Sequence, residues 1–157
     1  VKKHKNLLIC VKQKLSKRCG LLDNPNNLRE ILSNKHFSKF GDSIVNFIYN
    51  AAVFEISQKS KGIKVWDSCL AQACRNSQLR GYLGTRKSAG DIGDAVEAFI
   101  AFIYLKNKNT LPEMITILTK NLRKSIGLFQ ENEKELCTES FTLLINHFCK
   151  KLRILPD

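Results

Sequence analysis

Apolar residues recur at helical spacing along most of the chain, and no pair of segments alternates with the period of two that paired strands require. Leu7, Leu8, Val11 and Leu15 predict a first helix ending near Gly20. Asn24-Pro25-Asn26-Asn27 is a helix-start signal, with Pro25 suited to a first-turn position, and the short helix that follows carries Leu28, Ile31 and Leu32. After a break at Ser33-Asn34-Lys35, a long helix over Phe37 to Ile56 is apolar nearly all round and is expected in the middle of the fold. A polar turn from Lys59 to Ile63 leads into a helix from about Val65 to Leu79. Arg80 to Gly93 holds four glycines and reads as a loop, and a second buried helix, starting at Asp91 or Asp94, runs to Tyr104. Thr110-Leu111-Pro112-Glu113 has the form of an N-terminal cap, followed by amphipathic helices at roughly Pro112 to Ile126 and Glu131 to Leu152. The pattern predicts one all-α domain over residues 1–157, with about seven helices and no internal repeat.

Size and composition agree with that reading. A chain of 157 residues with 43% hydrophobic and 25% charged residues can bury one sizeable core, so disorder is excluded as the general state. The longest apolar stretch, Ala98 to Leu105, is too short to span a bilayer, and the basic start Val1-Lys2-Lys3-His4-Lys5 leads into too few apolar residues for a signal peptide. No membrane association is expected. Six cysteines form no C-x-x-C pair and have no histidine placed to complete a zinc set, which suits buried reduced thiols in a cytoplasmic protein. The net charge of +12 gathers in clusters, among them Lys12 to Arg18, Arg75 to Lys87 and Lys120 to Lys124, and this favours a polyanionic partner.

Against this basic background a few acids stand out. Asp94 and Glu97 are three apart, on one face of an apolar helix, and Asp42 sits where the other long helix turns apolar. Carboxylates facing an apolar interior are costly unless a cation joins them. Simpler accounts also exist. Asp94 and Glu97 can form a capping box, Asp91-x-x-Asp94 offers the same cap in another register, and Asp42 can be a first-turn acid favoured by the helix dipole.

Two stretches resemble the ribonuclease III catalytic domain. Asn34-Lys35-His36-Phe37-Ser38-Lys39-Phe40-Gly41-Asp42 aligns without a gap to the family signature N-E-R-L-E-F-L-G-D, keeping Asn34, Gly41 and Asp42, with apolar residues at Phe37 and Phe40. Asp94-Ala95-Val96-Glu97-Ala98-Phe99-Ile100-Ala101-Phe102-Ile103-Tyr104-Leu105 follows the second signature, D-A-F-E-A-L-I-G-A-I-Y-L, almost residue for residue. Ala71 to Leu83 resembles the helix between them. The likeness covers about residues 24–105, and more loosely the helices at 112–152.

The resemblance implies an endoribonuclease that cuts double-stranded RNA with Mg²⁺ (Mn²⁺ able to substitute), leaving 5′-phosphate ends and short 3′ overhangs. It also implies a homodimer whose two sites face opposite strands. Asp42, Asp94 and Glu97 would be the catalytic metal ligands, directly or through water, and Ser38 would hold a metal-bound water. Lys39 is placed beside the site for phosphate contact, as are Arg86 and Lys87 in the glycine-bearing loop Gly84 to Gly90, unless that loop is merely solvated. Arg75 and Arg80 are further RNA-binding candidates, although either can instead pair with an acid. Asn46 and Asn50 fall near the site, near a dimer seam, or on an exposed edge.

The departures from the signature define the competing reading. Ser38 and Lys35 replace two usual glutamates, so one of four usual metal-site carboxylates is missing. A catalytically weak or inactive RNA-binding, ribosome-associated module is therefore the alternative, and an unrelated helical interaction protein is a third. No double-stranded-RNA-binding domain is expected after Leu105, so the chain looks most like the compact members, mini-ribonuclease III and the small archaeal relatives. The Lys39 to Ser43 form resembles the latter. Structured precursors such as ribosomal RNA are the implied substrates.

Overall fold

The computed structural model describes residues 28–59, 62–124 and 132–154. Six α-helices and one 3₁₀ helix occupy them: α1 Leu28–Leu32, α2 Lys35–Ser57, α3 Asp67–Arg75, the 3₁₀ helix Gln78–Tyr82, α4 Ala89–Lys106, α5 Thr110–Arg123 and α6 Glu133–Lys151. The expected first helix near Leu7 to Gly20 lies outside the described residues, as do the start signal at 24–27 and Ile126.

Helix α4 is the axis of the domain. From Ile92 to Ile103 every side chain except Asp94 is buried, because α2 covers one flank and α3 the other. Helix α5 packs on α2, and α6 closes the core against α3 and α5. The α2–α4 crossing is the most extensive contact in the molecule, and glycine sets it. A Cβ at Gly41 would fall 3.0 Å from the Cα of Glu97 and closer still to its carbonyl group. Only a residue without a side chain admits this approach of two backbones.

Several boundaries differ from expectation for identifiable reasons. Helix α2 starts two residues early because Asn34 is its N-cap, its Oδ1 accepting from the N–H groups of His36 (2.9 Å) and Phe37 (3.3 Å). The helix expected to reach Leu79 ends at Arg75, and a 3₁₀ turn takes over. The supposed loop from Arg80 to Gly93 shrinks at both ends, into that turn and into α4. Helix α5 begins at Thr110, whose hydroxyl donates to the carbonyl of Asn107 (2.7 Å) instead of capping the helix ahead.

The largest correction concerns the burial of α2. One face is buried, but Phe40, Phe47 and Phe54 are 42%, 56% and 48% exposed. Their seven-residue spacing puts them in one line along the outer face. Asn46 and Asn50 have a structural task, and Asn46 also reaches the site by donating to Asp42 Oδ1. They fasten the extended strip before α3: the Asn46 Oδ1 accepts from Val65 N–H (2.8 Å), and Asn50 both donates to the Ile63 carbonyl (2.6 Å) and accepts from its N–H (2.8 Å).

Among the described residues no helix is long and apolar enough to cross a membrane. Cys69, Cys74, Cys137 and Cys149 are buried and free, while Cys10 and Cys19 lie outside the described residues.

Candidate active site

The capping-box account of Asp94 and Glu97 does not hold. Helix α4 begins at Ala89, and its capping box joins Ser88 to Asp91. The Ser88 Oγ accepts from Asp91 N–H (3.1 Å), and the Asp91 carboxylate accepts from Ser88 N–H (3.2 Å) and Oγ–H (2.7 Å). These bonds hold Asp91 below the usual carboxylate range. Asp94 and Glu97 therefore lie in later turns, where neither satisfies a helix end.

Glu97 lies beside the α2–α4 crossing. It is 8% exposed and the one buried acid among the described residues. Its Oε2 accepts from the hydroxyl of Ser38 (3.0 Å), which is itself buried one turn before Gly41. Burial pushes the Glu97 carboxyl up to about 7; the Ser38 bond opposes the shift, and the negative charges of Asp42, Asp94 and Asp67 add to it. A serine hydroxyl is a single neutral donor and does not balance a buried carboxylate.

The neighbours arrive from three helices. Asp42 follows Gly41 on α2, and its Oδ1 accepts from Asn46 Nδ2 (2.9 Å). Asp94 is one turn before Glu97 on α4 and forms an ion pair with Lys35, in the first turn of α2. That bond holds the Lys35 ammonium above its ordinary value. Asp67, the first residue of α3, was not singled out from sequence. It lies next to α4 at Gly93, where a Cβ would be in ordinary contact, 3.5 Å from the Asp67 carbonyl oxygen, so the packing of α3 on α4 does not depend on the glycine. The only sequence signal for it was an acid in the first turn of a helix, which the macrodipole alone explains.

Asp42, Asp94 and Glu97 are thus brought into one electrostatic neighbourhood. Among the described residues, however, no three of His, Cys, Asp and Glu converge into a ready-made metal cage.

Beside the carboxylates a groove of about 380 Å³ runs along the starts of α2 and α4, with Ser38, Asp94, Lys35 and Lys87 in its lining. The basic candidates are spread unevenly around it. Lys39 is exposed on α2, and Arg86 and Lys87 are exposed in the loop before α4. Arg80 is half-buried; its Nη1 donates to the carbonyls of Leu83 (2.9 Å) and Gly84 (3.4 Å), which gives it a structural task in holding that loop. Arg75 is exposed at the far end of α3, about 12 Å along the helix from Asp67.

Comparison with known families fits this geometry. The family model described as Ribonuclease III matches residues 35–154, from the first turn of α2 to just past α6. The chain belongs to the ribonuclease III family. The matched region contains the whole carboxylate neighbourhood and the all-α core around it, and the family assignment carries nuclease-type activity in general. No curated protein matches the sequence.

Proposed function

We propose that this ribonuclease III-family chain is a Mg²⁺-dependent endoribonuclease acting on double-stranded RNA. The observation that carries the reading is Glu97: a buried carboxylate raised towards neutrality, crowded by Asp42, Asp94 and Asp67, and partnered among the described residues by the Ser38 hydroxyl alone. Such a site fits a divalent cation on chemical grounds, since Mg²⁺ keeps several waters and takes one or two protein carboxylates rather than a full cage. Glu97 and Asp94 would hold it, with Asp42 and the Ser38 hydroxyl serving bound water, and Mn²⁺ can replace it. When bound, the ion supplies charge relief at the phosphate and an activated water.

The chain's own residues do the rest. Ser38 fixes the orientation of Glu97 through its Oγ–H bond to Oε2. Asn46 orients Asp42 by donating to Oδ1. Lys39, Arg86 and Lys87 contribute positive charge for phosphates, and Arg80 contributes by shaping the loop. A-form RNA would be bound by its backbone and 2′-hydroxyls.

The exposed line of Phe40, Phe47 and Phe54 supports a homodimer joined along α2, which would set two sites against opposite strands. The products would be 5′-phosphate ends with short 3′ overhangs, and the substrate a structured precursor such as ribosomal RNA. The form of Lys39 to Ser43 supports kinship with the compact members, especially the small archaeal relatives. The four buried free thiols suit a cytoplasmic setting.

One observation favours the second reading, an RNA-binding member with little or no activity. Lys35 already neutralises Asp94 with a covalently attached cation.

Cleavage of a labelled perfect RNA duplex separates the two. The nuclease reading expects Mg²⁺-dependent cutting by the native chain, abolished by EDTA and by Glu97→Gln. Duplex binding by both proteins with cutting by neither, across salt concentrations and with Mn²⁺, would replace it with the binding module.

A further inference from the structure

Away from the carboxylates, α3 packs on α6 and brings two thiols together near the starts of both helices. Cys69 is the third residue of α3 and Cys137 the fifth of α6, and both are buried. Their side chains are hydrogen-bonded to each other. The Cys69 thiol also donates to the carbonyl of Lys134 (3.5 Å), one turn before Cys137. Behind the pair, the wholly buried Tyr49 hydroxyl faces Cys137, with no oxygen or nitrogen partner among the described residues. Among the described residues no third metal-ligating side chain joins the two sulfurs.

The surroundings distinguish this pair from the other buried cysteines. Cys69 lies in the first turn of its helix, where the macrodipole favours a thiolate. The Lys134 ammonium is held at the same helix end, 5.6 Å from the ring centroid of Trp66, the N-cap of α3. The bond with Cys137 holds the Cys69 thiol down at about 6 against burial, and Thr138, Ser68 and Lys134 assist. The same bond, together with burial, pushes Cys137 up. At Cys74 and Cys149 burial dominates and pushes the thiols up to about 11 and about 12. Cys69 is also the sulfur within reach of solvent. It lines a surface groove of about 410 Å³ with Ser68, Lys134 and Thr138, whereas Cys137 lies behind it, outside the lining.

We propose that Cys69 and Cys137 form a peroxide-reactive dithiol, Cys69 attacking and Cys137 resolving, that closes to a disulfide between α3 and α6. Hydrogen peroxide is the oxidant. The Cys69 thiolate attacks one peroxide oxygen; an S–O bond forms, the O–O bond breaks, and the departing hydroxide takes up the proton released by the thiol and leaves as water. Cys69 is then a neutral sulfenic acid, and the charge that kept Cys137 protonated is gone. The Cys137 sulfur attacks the Cys69 sulfur; the S–S bond forms, the S–O bond breaks, and the leaving hydroxide takes the Cys137 proton as a second water. Two thiols thus lose two electrons and two protons, and one peroxide becomes two waters. Inert core cysteines need no helix-end placement, no cation and no groove. The pair is defined by its own residues, independently of the nuclease reading, and is tested without RNA.

The test treats the reduced full chain with hydrogen peroxide at neutral pH, quenches it with an alkylating agent and maps the cysteines by peptide mass spectrometry without reduction. One dominant cross-link, Cys69–Cys137, is expected, reversed by dithiothreitol and formed at least about tenfold faster than any oxidation of Cys74 or Cys149. In Cys137→Ala a dimedone adduct should collect at Cys69, and in Cys69→Ala the Cys137 thiol should stay reduced. The mapping of the native chain decides the matter even where a variant does not fold. Cys69 and Cys137 that stay reduced under peroxide sufficient to oxidise glutathione in a parallel tube, or that react only in denaturant, overturn the proposal. So does a cross-link from either to Cys10 or Cys19 in place of the pair, or a Cys137 that reacts as fast in Cys69→Ala as in the native chain.

Discussion

Gly41→Ala tests the geometry on which the site depends. In an exposed helix interior this change would stabilise, by about 1 kcal/mol, because alanine is the better helix former. Here the new methyl would stand 3.0 Å from the Glu97 Cα and closer to the Glu97 carbonyl. All three atoms are backbone, so no rotamer change relieves the clash. Reaching ordinary carbon–carbon contact requires α2 and α4 to part by about 1 Å at the crossing, across the most extensive contact in the molecule. Overpacking of that kind overrides the propensity gain, and a net loss of about 3 kcal/mol is expected.

For a chain of this length that loss lowers the melting temperature by roughly 10 °C. Thermal unfolding followed by circular dichroism at one pH, without divalent ions, measures it, with Ser43→Ala on the exposed face of the same helix as the control. The same displacement should stretch the Ser38–Glu97 bond, now 3.0 Å. Duplex cleavage well below the melting point should therefore fall by about a hundredfold, the usual cost of misplacing a reacting group by 1 Å. A Gly41→Ala protein that melts within about 2 °C of the native chain, or above it, would refute the close crossing.

Glu97 gives a signed pH dependence. Its carboxyl is raised from an ordinary 4.5 to about 7, so between these values the folded chain holds a proton that the unfolded chain has released. Its contribution to stability is therefore greatest at low pH and is lost as pH rises to about 7. Glu97→Gln lacks this slope, and its melting temperature relative to the native chain should climb across that window; parallel curves would show that Glu97 is not desolvated. Lys35→Gln removes the cation paired with Asp94 and should tighten Mn²⁺ binding several-fold by calorimetry or electron paramagnetic resonance, while equal affinities would mean that the ion pair does not compete for Asp94. Phe47→Asp places a charge in the middle of the exposed phenylalanine line and should shift sedimentation from dimer to monomer, with helical content unchanged. A native chain that already sediments as a monomer would exclude assembly through this face.

Local order was legible without the structure. Over the described residues the 3.6-residue periodicity located the helices within a few residues, because each signal depends on neighbours three or four positions apart. The spacing of Asp94 and Glu97 likewise guaranteed a shared helix face, and the Asn34 to Asp42 signature marked the start of α2. What sequence left open was the use made of those residues. Whether Asp94 and Glu97 cap a helix was decided at Ser88, whose hydroxyl takes Asp91 and starts α4 one turn early. Asp67 looked like an ordinary first-turn acid until the packing of α3 on α4 brought its charge to bear on Glu97. Lys35 looked like a lost glutamate until it was found on Asp94, and Asn46 and Asn50 had no identifiable partner until the strip at 63–65 lay across them. Ser38–Glu97 and Lys35–Asp94 each join positions 59 residues apart. No local rule sets such a pairing. It follows from where two helices cross, and the crossing is fixed by a glycine whose missing side chain has meaning only when the opposing backbone is there to fill the space.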